Sequence, residues 1–137
     1  MNALTVRLVR SALLFLALGI ALGVAFAVDR SLGALWRPLH AELNLWGWVT
    51  LLIYGMAFHM LPRFTGQPLP QPKLAELQSW MAILGVALVA TGWLGRHVGM
   101  PLGQETLLLG GAVQFSAALL FTFLIGTLLR SRSYSHV

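Results

Sequence analysis

Four long apolar segments alternate with short polar ones along the chain. The apolar runs contain no Asp, Glu, Lys or Arg, and they cover residues 11–28, 43–61, 77–95 and 106–129. Each run is close to the roughly 20 residues that a helix needs to cross a bilayer. With their flanks, they predict transmembrane helices over about 8–29, 38–62, 74–97 and 104–130. The sequence therefore predicts an all-α integral membrane four-helix bundle, with residues 1–137 forming a single transmembrane domain.

The first apolar run has two features with more than one interpretation. It ends in Ala25-Phe26-Ala27, which resembles a signal-peptide cleavage site, but the run is longer than a usual signal core. We expect it to be retained as a helix. Gly19 and Gly23 are spaced to let another helix approach closely, although membrane helices are rich in glycine in any case.

The basic residues at the ends of the runs predict an orientation. Two groups face opposite sides, six on one (Arg7, Arg10, Arg63, Lys73, Arg130, Arg132) and three on the other (Arg30, Arg37, Arg96). Because Lys and Arg are enriched on the cytoplasmic side, both termini are predicted to be cytoplasmic. His40 and His97 then lie near the outer face.

Composition supports a membrane protein and limits its chemistry. The chain is 58% hydrophobic and only 9% charged, against about 25% charged residues in soluble domains. Its net charge of +5 comes from single bases at helix ends, a pattern that favours membrane orientation over nucleic-acid binding. It has no cysteine, which excludes disulfides, iron–sulfur clusters and covalent haem attachment through thiols. Any metal needs His, Met or oxygen ligands.

His40 and His97 are the leading candidates for a metal centre. The proline-rich segment 64–73 is short, so helices two and three are expected to form an antiparallel hairpin. Its centre lies midway between His40 and His97, which places the two histidines at the same depth. Ionisable side chains in a membrane are costly and usually functional. Histidine is a common haem ligand, and facing helices often supply the ligands together.

The surroundings of His40 suit a flat macrocycle. Gly47 follows seven residues later, within about 20° of the same helix face, and Trp48 flanks it. Asn44 could orient a haem substituent, while Arg37 and Arg96 are placed for the propionates. The alternative is that both histidines extend toward lipid headgroups and that the tryptophans form an interfacial belt.

His59 forms a second-choice site near the opposite end of the same helix, with Met56, Met60 and Met81 at related depths. Imidazole with thioethers suits copper(I). Ordinary packing of the methionines is the main alternative, because methionine commonly fills helix interfaces. A second haem at His59 is a third option.

Enzymatic constellations are scarce. The four runs contain no carboxylate, and no Ser–His–Asp set or glycine-rich phosphate loop is visible. Glu42 and Glu105 are expected to be interfacial and solvated, although Glu42 beside His40 is a possible proton acceptor. The chain is therefore expected to be an electron-transfer or haem-binding protein more than a complete oxidoreductase.

A longer pattern resembles the second helix of haem–copper oxidase subunit I, in particular the cbb-type oxidase and nitric oxide reductase branch. The matching residues are His40-x-x-Leu43-x-Leu45-x-Gly47-Trp48-Val49, Ile53-Tyr54-Gly55 and His59-x-Leu61-Pro62-Arg63-x-x-Gly66. The resemblance implies that His40 corresponds to an axial ligand of the family's low-spin haem. The family's adjacent His-His pair for copper is absent here, so a binuclear centre is not implied.

These observations together predict a short relative of that family that binds haem b in a bacterial inner membrane. It is expected to transfer electrons or to bind a diatomic gas, surrounded by lipid, as a homo-oligomer such as a dimer or as a subunit of a respiratory complex. Two alternatives stay open. One is a cofactor-free accessory or assembly subunit of such a complex, and the other is a copper-handling membrane protein.

Overall fold

The computed structural model describes residues 2–131, and within that range every regular element is a helix. Helix α1 is Ala3–Val28, α3 is Pro72–His97 and α4 is Gly103–Ser131. Helix α2 runs without a break through three segments, Arg30–Glu42, Leu43–Thr50 and Leu51–Thr65. Arg132, which entered the orientation count, lies outside the described residues.

The predicted fold class is confirmed. Four helices of the described chain are long and apolar enough to span a membrane: Ala3–Val28, Trp36–Thr65, Pro72–His97 and Gly103–Arg130. Each span is helical, so its backbone hydrogen bonds are made within the segment, as hydrocarbon requires. The protein is a multi-pass membrane protein built from these helices.

The helices form two antiparallel pairs, and the first is α1 with α2. Glycines set their distance, because a Cβ at Gly47 would lie 2.7 Å from the Phe15 Cβ and one at Gly55 would lie 3.2 Å from the Leu8 Cβ. Large side chains of α1 therefore occupy notches along α2. This agrees with close helix approach at small residues in membranes.

The second pair, α3 with α4, has the most extensive contact in the molecule. Cβ atoms at Gly92, Gly103 and Gly110 would lie 2.5–2.6 Å from backbone nitrogens of the facing helix. The two backbones are thus nearly in contact. The sequence predicted the α2–α3 hairpin and did not predict this pair, whereas α2 and α3 share only limited contacts.

The middle segment of α2, Leu43–Thr50, is a π-helix. Here the backbone bonds to the fifth residue along the chain, and the Thr50 Oγ1 also donates to the Leu45 carbonyl at 2.8 Å. π-helical turns are rare in proteins, and those that occur are often found at functional sites. This one begins three residues after His40.

Helix α2 begins earlier than the sequence indicated, with Pro38 inside it. Asp29 caps its N-terminus, because the Asp29 Oδ1 accepts from the Ser31 N–H at 2.9 Å and from the Ser31 hydroxyl at 2.6 Å. The predicted start near Pro38 missed this cap, although Asp is among the preferred N-cap residues.

The Asp29 cap makes stability depend on pH. The Ser31 hydroxyl and N–H stabilise the carboxylate, so they hold the pKa of Asp29 below its ordinary value of 3.8. Because the pKa of Asp29 is lower in the folded state than in the unfolded state, the cap stabilises the fold at pH values above the unfolded-state pKa. This stability is lost as the pH falls through the folded-state pKa. We expect the melting temperature to drop below about pH 4, and to drop less in Asp29→Asn, since Asn caps without titrating. Identical pH profiles of the melting temperature would contradict this assignment.

Candidate functional site

His40 lies between α1 and α2, half-buried. Its Nδ1 is 2.9 Å from the Gly19 carbonyl oxygen, and its ring centre is 5.6 Å from that of Phe26. A carbonyl oxygen can only accept, so Nδ1 carries the proton and donates it. In the neutral ring, Nε2 is then the nitrogen with a free lone pair. A histidine whose other N–H is held by a backbone carbonyl is typical of metal ligands.

The predicted neighbours of His40 take part in helix packing. The Asn44 Nδ2 donates to the His40 carbonyl at 2.8 Å, and its side chain fills the space that a Cβ at Gly19 would need. A Cβ at Gly23 would lie 3.1 Å from the His40 Cε1. The notch at Gly47 holds Phe15. The glycines of this interface thus seat protein side chains from the opposite helix.

His97 lies at the last turn of α3 and meets α2 one turn before His40. Its ring is edge-on to Trp36 with centres 4.5 Å apart. The two residues line an open cleft with Leu39, Trp93 and Arg96. The Arg96 guanidinium is 5.2 Å from the centre of the Trp93 ring, so a cation sits at the rim of an aromatic cleft.

The structure therefore directs the two histidines to different neighbours. His40 turns toward α1 and contacts the Gly19 carbonyl, while His97 turns toward Trp36. The hairpin argument predicted their depth, and Trp36 is one helical turn from His40. The direction of the His40 ring follows from its contact with α1, which lies outside the predicted hairpin.

Two further residues of the predicted haem site have simple surroundings. Arg37 is exposed, and Trp48 is partly buried against the hydrophobic core. Trp48 therefore belongs to the packing of the bundle, and Arg37 is free to meet headgroups or an anionic substituent.

At the second-choice site, Arg63 donates to the His59 Nε2, which uses the lone pair that a metal would need. Met56 is 40% exposed and Met60 is 37% exposed. Met81 packs against the core instead. The four residues thus have different surroundings, and the residues described include no group of three or more His, Cys, Asp or Glu that could hold a metal ion.

Glu42 differs from its expectation. It is half-buried and accepts a hydrogen bond from the Gln114 Nε2 of α4, so the prediction of a solvated carboxylate is wrong for Glu42. Glu105 is exposed, as expected. The contact between Glu42 and Gln114 links the two helix pairs. Its sequence signal was a lone Gln within an apolar run, which is a candidate partner for a carboxylate.

The residues around His40 fit a haem in the chemistry of their donor atoms but leave no open space on the glycine face of His40. The donor chemistry fits, because His40 has a free Nε2 lone pair and a fixed Nδ1 proton. The open aromatic cleft with Arg96 and His97 offers a cation for a carboxylate. The glycine face of His40 has no open space, since Phe15 and α1 occupy it.

The fold and site define a class: a four-helix membrane protein with a half-buried histidine at a π-helical segment of its second span. Among known proteins, the chain is similar to cytochrome c oxidase subunit 1 of Thermus thermophilus, with 34% identity over 64 residues. The match covers 44% of this chain and 59% of the relative, so the chain spans about three fifths of that protein's length. No family model matches the chain, and no solved structure matches it.

Proposed function

We propose that this protein binds haem b through His40 and acts in electron transfer or in the binding of a diatomic gas. The observation that supports this most directly is the hydrogen bond from His40 Nδ1 to the Gly19 carbonyl at 2.9 Å. This bond fixes the ring orientation and leaves the Nε2 lone pair available to a metal, which is the usual arrangement around a metal-bound histidine. The similarity to a cytochrome c oxidase subunit supports the same function.

Other residues have assigned parts in this proposal. His97, at the end of α3 against Trp36, would be the second histidine to hold the haem, and Arg96, beside the Trp93 ring, would pair with one of its carboxylates. Asn44 fixes the helix turn that carries His40 through its bond to the His40 carbonyl. When bound, haem supplies an iron that changes oxidation state or binds a gas.

The cellular setting belongs to the same proposal. We place the protein in a bacterial inner membrane with both termini in the cytoplasm. Six of its nine Lys and Arg residues fall on the same side of the membrane as the termini, and the cytoplasmic side is the one enriched in these residues. It acts as a homodimer or as a subunit of a respiratory complex. We also place it in the cbb-type oxidase and nitric oxide reductase branch, which the residue pattern around His40 resembles. The similarity to an oxidase subunit is compatible with such a complex.

An absorption spectrum of the detergent-solubilised protein tests the proposal. We expect a Soret band and a reduced-minus-oxidised difference spectrum of a b-type haem. Added carbon monoxide separates the two functions, because a haem with both axial positions filled does not take up the gas. An unchanged spectrum supports electron transfer, and a shifted one supports gas binding. Protein reconstituted with haem that shows no Soret band would rule out both.

The identity of the second ligand gives a separate prediction. We expect His97→Ala to retain haem and to convert low-spin iron to high-spin iron, because one strong-field imidazole is lost. Electron paramagnetic resonance of the oxidised protein measures the change. Trp36→Phe is the matched control, since it keeps an aromatic ring beside residue 97. A low-spin signal that persists in His97→Ala would mean that another residue or another chain supplies this ligand.

One observation favours a second candidate function, a cofactor-free accessory or assembly subunit. Phe15 and α1 fill the glycine face of His40. The bond from His40 Nδ1 to the Gly19 carbonyl is then explained by helix packing without a cofactor. In that case, the protein purifies colourless and does not take up added haem, and it co-purifies with a respiratory complex through its apolar outer face.

A further inference from the structure

We propose that the N-terminal end of α1 binds the phosphodiester headgroup of an anionic phospholipid through Arg7, Arg10 and Ser11. These residues line one open groove along α1, together with Ala3 and Val6. The site is separate from the His40 region and does not depend on the proposed haem. It is formed by two cations and a hydroxyl on successive turns of one helix.

Arg7 and Arg10 have different surroundings. The Arg7 Nη2 is 2.7 Å from the Glu76 Oε1 and donates to the Ser79 Oγ at 2.6 Å, and its guanidinium lies 4.5 Å from the Trp80 ring centre. Glu76 therefore balances the charge of Arg7. Arg10 is exposed and has no ion pair or hydrogen bond among residues 2–131. The groove thus carries one net positive charge.

Ser11 adds an unpaired hydroxyl. Several helical hydroxyls of this bundle donate to the carbonyl four residues earlier, as Thr91, Thr106, Ser116 and Thr122 do at 2.8–2.9 Å. Ser11 makes no such bond to its own helix in the described chain. Its O–H is therefore available to an acceptor in the groove, where it lies beside Arg10.

The apolar surface below the cations favours a lipid over a free anion. Leu13 and Leu14 lie three and four residues after Arg10, on the same helix face, and they are 54% and 59% exposed. A phospholipid can place its phosphate oxygens on the Arg10 fork and its acyl chain along these leucines. A net anionic lipid is preferred, because a zwitterionic headgroup brings a positive group next to Arg10.

Native mass spectrometry of the full chain in detergent tests this site. Dioleoyl phosphatidylglycerol and dioleoyl phosphatidylcholine are added at equal concentrations, and the bound lipids are counted. We expect phosphatidylglycerol to be retained preferentially and Arg10→Gln to weaken its binding about fivefold. Ser11→Ala should have a smaller effect in the same direction. Arg130→Gln is the matched control, because Arg130 is an exposed arginine at the same end of the bundle.

Three results would overturn the proposal. The first is equal retention of the two lipids by the unmodified chain. The second is an equal loss in Arg10→Gln and Arg130→Gln, which would indicate only a general attraction of basic helix ends. The third is displacement of the lipid by excess inorganic phosphate, which would identify a site for a free anion. Circular dichroism of each variant confirms that the helices are intact.

Discussion

His40→Ala is expected to abolish haem retention, because losing a ligand should lower the haem affinity by more than the roughly 10–100-fold that losing an outer-shell partner costs. The expectation rests on the Nε2 lone pair that the Gly19 carbonyl leaves free. Haem titration of the purified variant, followed by absorbance, gives the affinity. Added imidazole should partly restore binding, because it can occupy the space of the deleted ring.

Two controls separate ligand loss from damage to the fold. His59→Ala should retain haem, since the His59 Nε2 is engaged by Arg63 near the other end of α2. The helical circular dichroism of His40→Ala should match that of the unmodified protein. If His40→Ala retains haem while His59→Ala loses it, the ligand assignment is wrong. If both retain it, neither histidine is an essential ligand.

Much of the fold could be predicted from the sequence, because a charged residue inside a membrane span is costly and the four runs avoid it. The confirmed spans follow from that one rule. The start of α2 could not be predicted from apolar pattern, since it depends on the Asp29 cap within a polar segment. The π-helix over Leu43–Thr50 could not be predicted either. Its residues lie in the middle of an apolar run, so the apolar pattern is the same whether the segment is an α-helix or a π-helix.

The candidate site was predicted only in part. Helical spacing and the short loop gave the depth of His97, which the structure places against Trp36. The direction of the His40 ring depends on which helix packs against α2, and the short segment 64–73 indicates only α3 as a neighbour. Gly19 and Gly23 did indicate close approach by another helix, and Asn44 and His40 of α2 lie against them. The contact of Glu42 with Gln114 joins residues distant in the chain, which local patterns do not reveal.

The close packing of α3 against α4 predicts that alanine substitutions at two adjacent glycines of α4 have different effects on stability. A Cβ at Gly110 would lie 2.6 Å from the Val89 backbone nitrogen, whereas a Cβ at Gly111 would have nothing within 4 Å. A backbone atom inside a helix cannot move aside as a side-chain end can. We therefore expect Gly110→Ala to destabilise the protein by about 1–3 kcal/mol, the usual cost of overpacking.

Gly111→Ala should be neutral or stabilising by up to about 1 kcal/mol, because alanine favours helix over glycine. Both variants add the same methyl group to neighbouring positions of α4, so their difference isolates the contact with α3. Unfolding in a denaturing detergent, followed by circular dichroism, measures both free energies. Gly92→Ala should behave like Gly110→Ala, since its Cβ would lie 2.6 Å from the Leu107 nitrogen. Equal stability of the Gly110 and Gly111 variants would mean that the α3 and α4 backbones are farther apart than described, because only their near contact distinguishes the two positions.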